Sequence, residues 1–167
     1  GPPWANVSNT PFRRHKQSNH EGGIASPLIA RWPGVIKQAG AVLHEPAHIT
    51  DVTATCLEAA GVEYPAQFAG RQVLPLAGQS LLPIFHGGRL DDPRTLCWAT
   101  SGCRAIRSGA WKLVAAKGGP WELYNLETDR TELNDLAEGE RGRVRAMAKL
   151  YDEWAARCDV LPWERRR

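Results

Sequence analysis

Apolar residues in the C-terminal half of the chain fall into four short clusters. These are Leu96-Cys97-Trp98-Ala99, Arg104-Ala105-Ile106-Arg107, Trp111-Lys112-Leu113-Val114-Ala115 and Trp121-Glu122-Leu123-Tyr124-Asn125-Leu126. Each is short and rich in aromatic or branched residues, and turn residues separate them, most clearly at Ser108-Gly109 and Lys117-Gly118-Gly119-Pro120. Such spacing predicts an antiparallel meander of about four strands. The period then changes. Val144, Met147, Ala148, Tyr151, Ala155 and Cys158 recur at intervals of three and four, with Trp154 beside them, which predicts an amphipathic helix over Glu140–Arg157. A meander with one helix across it is an α+β layer.

The N-terminal half has a different texture. Ile24 to Trp32 is apolar, contains Pro27 and ends at Pro33-Gly34, so it reads as a strand closed by a turn. Ile24, Leu28 and Ile29 then expect sheet neighbours further upstream. Asp51 stands where an N-cap belongs, ahead of a helix that Gly61 stops. Val52, Cys56, Ala59 and Ala60 share one side of that helix, the side expected to pack. Residues 61–94 are rich in Pro and Gly, with room for one helical turn at Leu81-Leu82-Pro83-Ile84-Phe85. The change of character divides the chain into residues 1–92 and 93–167. No internal repeat is visible.

Composition narrows the class. Hydrophobic residues make up 43% and charged residues 23% of 167 residues, which is globular composition. A formal charge of +3, dispersed except for Arg165-Arg166-Arg167, argues against a nucleic-acid partner, and that triplet reads as a solvated tail. No apolar run approaches the roughly 18 residues a membrane-spanning helix needs. The four cysteines form no CxxC pair and no zinc spacing; Cys97 and Cys103 flank a turn and are a candidate disulfide, whereas Cys56 and Cys158 read as buried apolar residues. The chain opens on Gly-Pro-Pro-Trp without an initiator Met, and the expectation is that it is a piece of a longer protein.

The stretch Phe12-Arg13-Arg14-His15-Lys16-Gln17-Ser18-Asn19-His20-Glu21-Gly22-Gly23 crowds basic and polar groups ahead of the apolar run. Together with Trp4-Ala5-Asn6 and Ser8-Asn9-Thr10-Pro11, it resembles part of the sulfatases of the alkaline-phosphatase-like superfamily, especially the planctomycete-type arylsulfatases. Two further segments continue the resemblance in order: His48-Ile49-Thr50-Asp51 leading to Glu58-Ala59-Ala60-Gly61-Val62, and Arg104–Val114 followed by Glu122–Leu126 and Thr131–Leu136. The resemblance covers almost the whole chain and implies the C-terminal portion of an α/β fold. On that basis residues 1–92 are the end of the large α/β catalytic domain. Residues 93–167 are a small α+β subdomain with a four-stranded antiparallel sheet and one long helix.

The resemblance also implies an activity, hydrolysis of an aryl or carbohydrate sulfate ester, and a periplasmic or extracellular home. In that family a lysine four residues before the His-Glu-Gly-Gly stretch projects into the active site, and Lys16 matches it. A compact ammonium suits the purpose, because fixed cations aimed at sulfuryl oxygens stabilise charge that shifts as the ester bond breaks. His20 is either a donor near the site or a ring packed beneath the loop, with packing the expectation. Glu21 is expected to anchor the loop, and Gly22 and Gly23 to permit backbone angles or close approaches. Arg13, Arg14 and His15 either deepen a positive funnel for anionic substrate or form a solvated basic loop.

The family's formylglycine nucleophile, made from a C/S-x-P-S-R stretch, and the carboxylates that hold its calcium have no counterpart here. Asp91-Asp92 lacks the expected strand context. The isolated chain is therefore expected to be inactive and to bind neither group itself. Ala99–Cys103 departs from the polar stretch that related sulfatases carry there. Two alternatives stay open: a non-catalytic binding or structural module derived from a sulfatase, and a phosphodiester or phosphonate hydrolase of the same superfamily.

Overall fold

The computed structural model describes residues 1–90 and 94–161. The chain forms two compact units. One combines Gly1–Leu28 with residues 94–161, and the other is Ile29 to residue 90 of the described chain. The division placed at 92/93, Asp91-Asp92 and the Arg165–Arg167 tail lie outside the described residues.

In the first unit the meander forms as four strands in sequential order. They are β3 (Thr95–Thr100), β4 (Cys103–Ser108), β5 (Trp111–Ala115) and β6 (Glu122–Asn125), all antiparallel; the shorter β1 (Gln67–Phe68) and β2 (Arg71–Gln72) lie in the second unit. Ser101 and Gly102, at φ 52° and 84°, make the two-residue turn between β3 and β4. Two successive left-handed residues match the right-handed twist of the strands they join. The predicted helix appears as α5 (Arg141–Arg157), with Glu140 as its N-cap.

Alternation along the strands decides what each sheet face meets. Ile106, Leu113 and Leu123 are paired across β4, β5 and β6 and point to one side, where they pack with Met147 and Tyr151 of α5. Burying a side chain such as Met147 contributes roughly 1.5–3 kcal/mol. Trp121 meets Tyr151 edge-on at 5.5 Å, and the Arg104 and Arg143 guanidinium groups lie over Trp121 and Trp111 at 4.1 and 4.0 Å. The opposite face carries Ala105, Val114, Tyr124 and Leu126. To that face are bonded His20 and Glu21, at the start of the single turn α2 (Glu21–Ile24), while the short helix α1 (Pro2–Ser8) precedes them in the chain. Both faces of the sheet are therefore covered within this unit, one by α5 and the other by the polar loop preceding residue 24.

Several expectations change. Ile24–Trp32 is not a strand: Ile24 ends α2, and residues 25–32 carry no regular structure. Leu28 and Ile29 are 57% and 91% exposed, so no strand among the described residues offers them an edge, and Pro27 removes one ladder donor from within the run. Cys97 and Cys103 are not bonded to each other; all four cysteines are free. Cys56 and Cys158 are exposed rather than buried, Cys158 because it lies past the last turn of α5. Burial, with Cys158 nearby, pushes the Cys97 thiol up to about 12.

The second unit holds α3 (Ile49–Ala59), a small hairpin of β1 (Gln67–Phe68) and β2 (Arg71–Gln72), and α4 (Leu82–Phe85). Asp51 caps α3 from the third helical position, not as the N-cap. His48 is the N-cap, and its backbone N–H donates to Asp51 Oδ2 at 2.6 Å in a capping box. The packed side is Asp51, Ala54 and Thr55, not Val52 and Cys56. Hydrogen bonds select it: Asp51 Oδ1 accepts from Gln79 N–H at 3.1 Å, and Thr55 Oγ1 accepts from Leu81 N–H at 2.9 Å. Gly78 lies so close to Thr50 that a Cβ there would stand 2.1 Å from its carbonyl oxygen.

Candidate functional site

Residues 13–23 form a closed loop. Gly22 N–H donates to Arg13 C=O at 3.0 Å and joins the two ends, while Ser18 N–H donates to His15 C=O at 3.1 Å. Both glycines are required by close approach. A Cβ on Gly22 would lie 2.2 Å from Arg13 O, and one on Gly23 would lie 2.0 Å from Ser18 O. Lys16 occupies the tip. It is exposed and flanked by Arg14 and Gln17, whose φ values of 67° and 79° are left-handed and cost energy in residues bearing a Cβ. The Lys16 ammonium has no hydrogen bond or ion pair among the described residues.

The base of the loop is tied to the sheet at several points. Asn19 Nδ2 donates to Trp98 C=O at 3.2 Å, while its buried Oδ1 has no hydrogen-bond partner among the described residues. His20 is 1% exposed, with Nδ1 3.0 Å from Ser18 Oγ and Nε2 3.1 Å from Glu122 Oε2. An ionised carboxylate only accepts, so the proton in the latter contact sits on Nε2. Tyr124 Oη donates to the same Glu122 oxygen at 2.5 Å. Burial acts to raise the Glu122 carboxyl, but the hydrogen bonds from Tyr124 and His20 outweigh it and hold the group below the usual range. Burial and the Glu122 contact push the Tyr124 hydroxyl up. Arg13 Nη1 donates to Tyr124 Oη at 3.1 Å and to Glu132 C=O.

Beneath Glu21 lies a buried charge cluster. Lys112, on β5, is 0% exposed, and its Nζ donates to Glu21 Oε1 at 2.8 Å. The same Nζ stands 2.8 Å from Glu132 Oε1 as an ion pair outside hydrogen-bond angles. Glu132 Oε2 accepts from the Glu21 backbone N–H at 2.8 Å, and Arg130 Nε donates to Glu21 Oε2 at 3.2 Å. Burial again opposes ionisation, yet the Lys112 charge and hydrogen bond, reinforced by Arg130, hold the Glu21 carboxyl below its ordinary value. Burial likewise lowers Arg107, against the attraction of Glu21.

The structure thus brings Arg13, His20 and Glu21 together at the base of the loop and sets Lys16 at its tip. Lys112, Glu122, Tyr124, Arg130 and Glu132 belong to the same assembly, and reading the sequence did not single them out for it. One signal for Lys112 was present, a lysine inside the otherwise apolar run Trp111–Ala115.

Comparison with known proteins agrees with this architecture. Residues 14–155 match the family described as N-sulphoglucosamine sulphohydrolase, C-terminal. An uncharacterized sulfatase of Schizosaccharomyces pombe is 37% identical over 145 residues, covering 83% of this chain and 26% of the yeast protein. The choline-sulfatase of Rhizobium meliloti is 33% identical over 152 residues, covering 87% of this chain and 28% of that enzyme. Among solved structures, Ps i-CgsB superposes with a TM-score of 0.70 over 88% of this chain and 32% of its own, at 23% identity, a likeness of fold. The chain shares the fold of the matching third of that structure. The chain belongs to the sulfatase family and corresponds to its C-terminal portion. It spans about a quarter of the length of these curated relatives.

Proposed function

We propose that this chain forms the C-terminal part of a sulfuric ester hydrolase and presents Lys16 to the sulfate group of an aryl or carbohydrate sulfate. The observation that carries the reading is the contrast between tip and base. Ion pairs and hydrogen bonds restrain the loop from below, yet the one ammonium at its tip is exposed and unpaired among the described residues. A loop backbone held in place lowers the reorganisation its cation needs when charge develops on a sulfuryl oxygen. Arg13 and His20 act in this reading as loop anchors, since Arg13 Nη1 and both His20 ring nitrogens already have partners.

The nucleophile belongs to another segment, because the chain holds no C/S-x-P-S-R stretch. Among the described residues no group of three or more His, Cys, Asp or Glu side chains is placed to hold a metal ion. No step assigned to this chain runs through calcium. In this reading the 167-residue chain alone is expected to turn over no sulfate ester. The test is Lys16→Ala in a full-length sulfatase carrying this C-terminal portion, assayed on an aryl sulfate. A large loss of turnover is expected, and turnover within threefold of the parent would overturn the assignment.

A further inference from the structure

We propose that Glu132, remote from Lys16 in sequence and not in contact with the loop tip, is a positioning residue that sets where the Lys16 ammonium stands; this rests on the sulfate-binding reading of Lys16. Glu132 is completely buried, yet it lies at φ 58°, a left-handed conformation that an L-residue with a side chain adopts at a cost. Asp129 maintains that turn: its carboxylate accepts from Leu133 N–H and Asn134 N–H, each at 2.8 Å. The strained backbone lets both ends of the residue serve the loop. Its carbonyl accepts from Arg13, the first residue of the loop, while Oε2 accepts from the Glu21 N–H near the last. Oε1 pairs with Lys112, which in turn holds Glu21.

A glutamate chosen only for sheet stability has no need of this arrangement, because Glu132 is in none of the four strands, and its two acceptor bonds and its ion pair reach the loop or the lysine that grips it. Local strain that the surroundings enforce is a sign of a constrained function. Clamping both ends of a closed loop limits the travel of its tip, and misplacing a catalytic group by about 1 Å costs on the order of a hundredfold in rate.

Two measurements on Glu132→Gln separate positioning from general support. The first is amide hydrogen exchange on the full-length enzyme. Protection of residues 13–23 should fall at least about tenfold while β4 and β5 are unchanged; equal loss in the strands, or none in the loop, overturns the proposal. The second is a double-mutant cycle on kcat in the full-length enzyme. Glu132→Gln should lower kcat about tenfold or more beside Lys16, and less than twofold in a Lys16→Ala background. Equal effects in both backgrounds overturn the proposal. Glu132→Asp, which keeps the charge but shortens the arm to the Glu21 amide, gives the same two readings if Glu132→Gln does not fold. If Lys16→Ala leaves turnover intact, the sulfate-binding reading fails and with it the functional meaning of the clamp, while the exchange pattern still reports whether Glu132 holds the loop.

Discussion

Lys112 Nζ donates to Glu21 Oε1 at 2.8 Å across 91 residues of chain, with side-chain exposures of 0% and 4%. This bond fastens the central strand β5 to the base of the Lys16 loop. It lies on the sheet face opposite α5, so the helix and the loop are held by two sides of one scaffold. A buried pair of this kind is weak evidence for net stability, because desolvating two charges offsets their attraction. Breaking it on one side is another matter.

Lys112→Met should destabilise the chain by about 3–5 kcal/mol, since Glu21 and Glu132 would then share a buried site without their common cation. Urea unfolding measures the change. Adding Glu21→Gln to Lys112→Met should recover part of the loss by removing one stranded charge. A single-mutant change below about 1 kcal/mol would show that the cluster tolerates an unpaired carboxylate, contrary to the geometry.

Acid should weaken the fold through the same carboxylates. Glu21 and Glu122 both titrate below their ordinary value of 4.5 in the folded chain. A depressed folded pKa contributes stability that is present above the unfolded value and is lost as pH falls through the folded one. The urea midpoint should therefore show no loss from these two groups between pH 7 and about pH 5, then decline below about pH 4.5. Glu122→Gln should flatten part of that acid limb. An acid limb unchanged in Glu122→Gln would refute the assigned coupling to Tyr124 and His20.

Two glycines should respond in opposite directions. Gly23→Ala places a methyl 2.0 Å from Ser18 O and must deform the loop backbone, at a cost of roughly 1–3 kcal/mol. Gly142, in the first turn of α5, has nothing within 4 Å of an added Cβ, so Gly142→Ala should stabilise by about 0.5 kcal/mol. Thermal melts of the two variants decide. A neutral Gly23→Ala would mean the loop is not closed as described.

In the full-length enzyme Lys16→Ala should cost 10²–10³ in kcat, on the order of 3–4 kcal/mol, the usual loss when one stabilising donor is removed. Lys16→Arg should not restore the rate, because a planar fork does not replace a point charge. Lys37→Ala and Lys117→Ala should stay near the parent value. A rise in KM at constant kcat would assign Lys16 to uniform substrate binding instead.

The sequence by itself determined the local elements whose signal is carried by near neighbours. The four strands and α5 appear within a residue or two of their expected limits, because period-two and period-3.6 patterns are written in consecutive side chains. The close approaches at the Gly22-Gly23 pair were legible too, from the steric meaning of paired glycines; a motif marked Lys16 as a candidate, and its role stands as a proposal. Tertiary structure alone decided the rest. The apolar run at Ile24–Trp32 has strand composition but no strand edge to meet among the described residues, and ladder hydrogen bonds need a partner. In α3 the packed side follows hydrogen bonds from Asp51 and Thr55 to residues more than twenty positions away, which no hydrophobic period encodes. The anchor of the candidate site is partly of the same kind: Glu21 was expected to anchor the loop and Lys112 stands out in an apolar run, but Arg130 and Glu132 are unremarkable charges in sequence. The cluster becomes a clamp only when folding removes Glu21, Lys112 and Glu132 from water, with the half-exposed Arg130 at its edge, because burial is what makes each of those charges depend on the others.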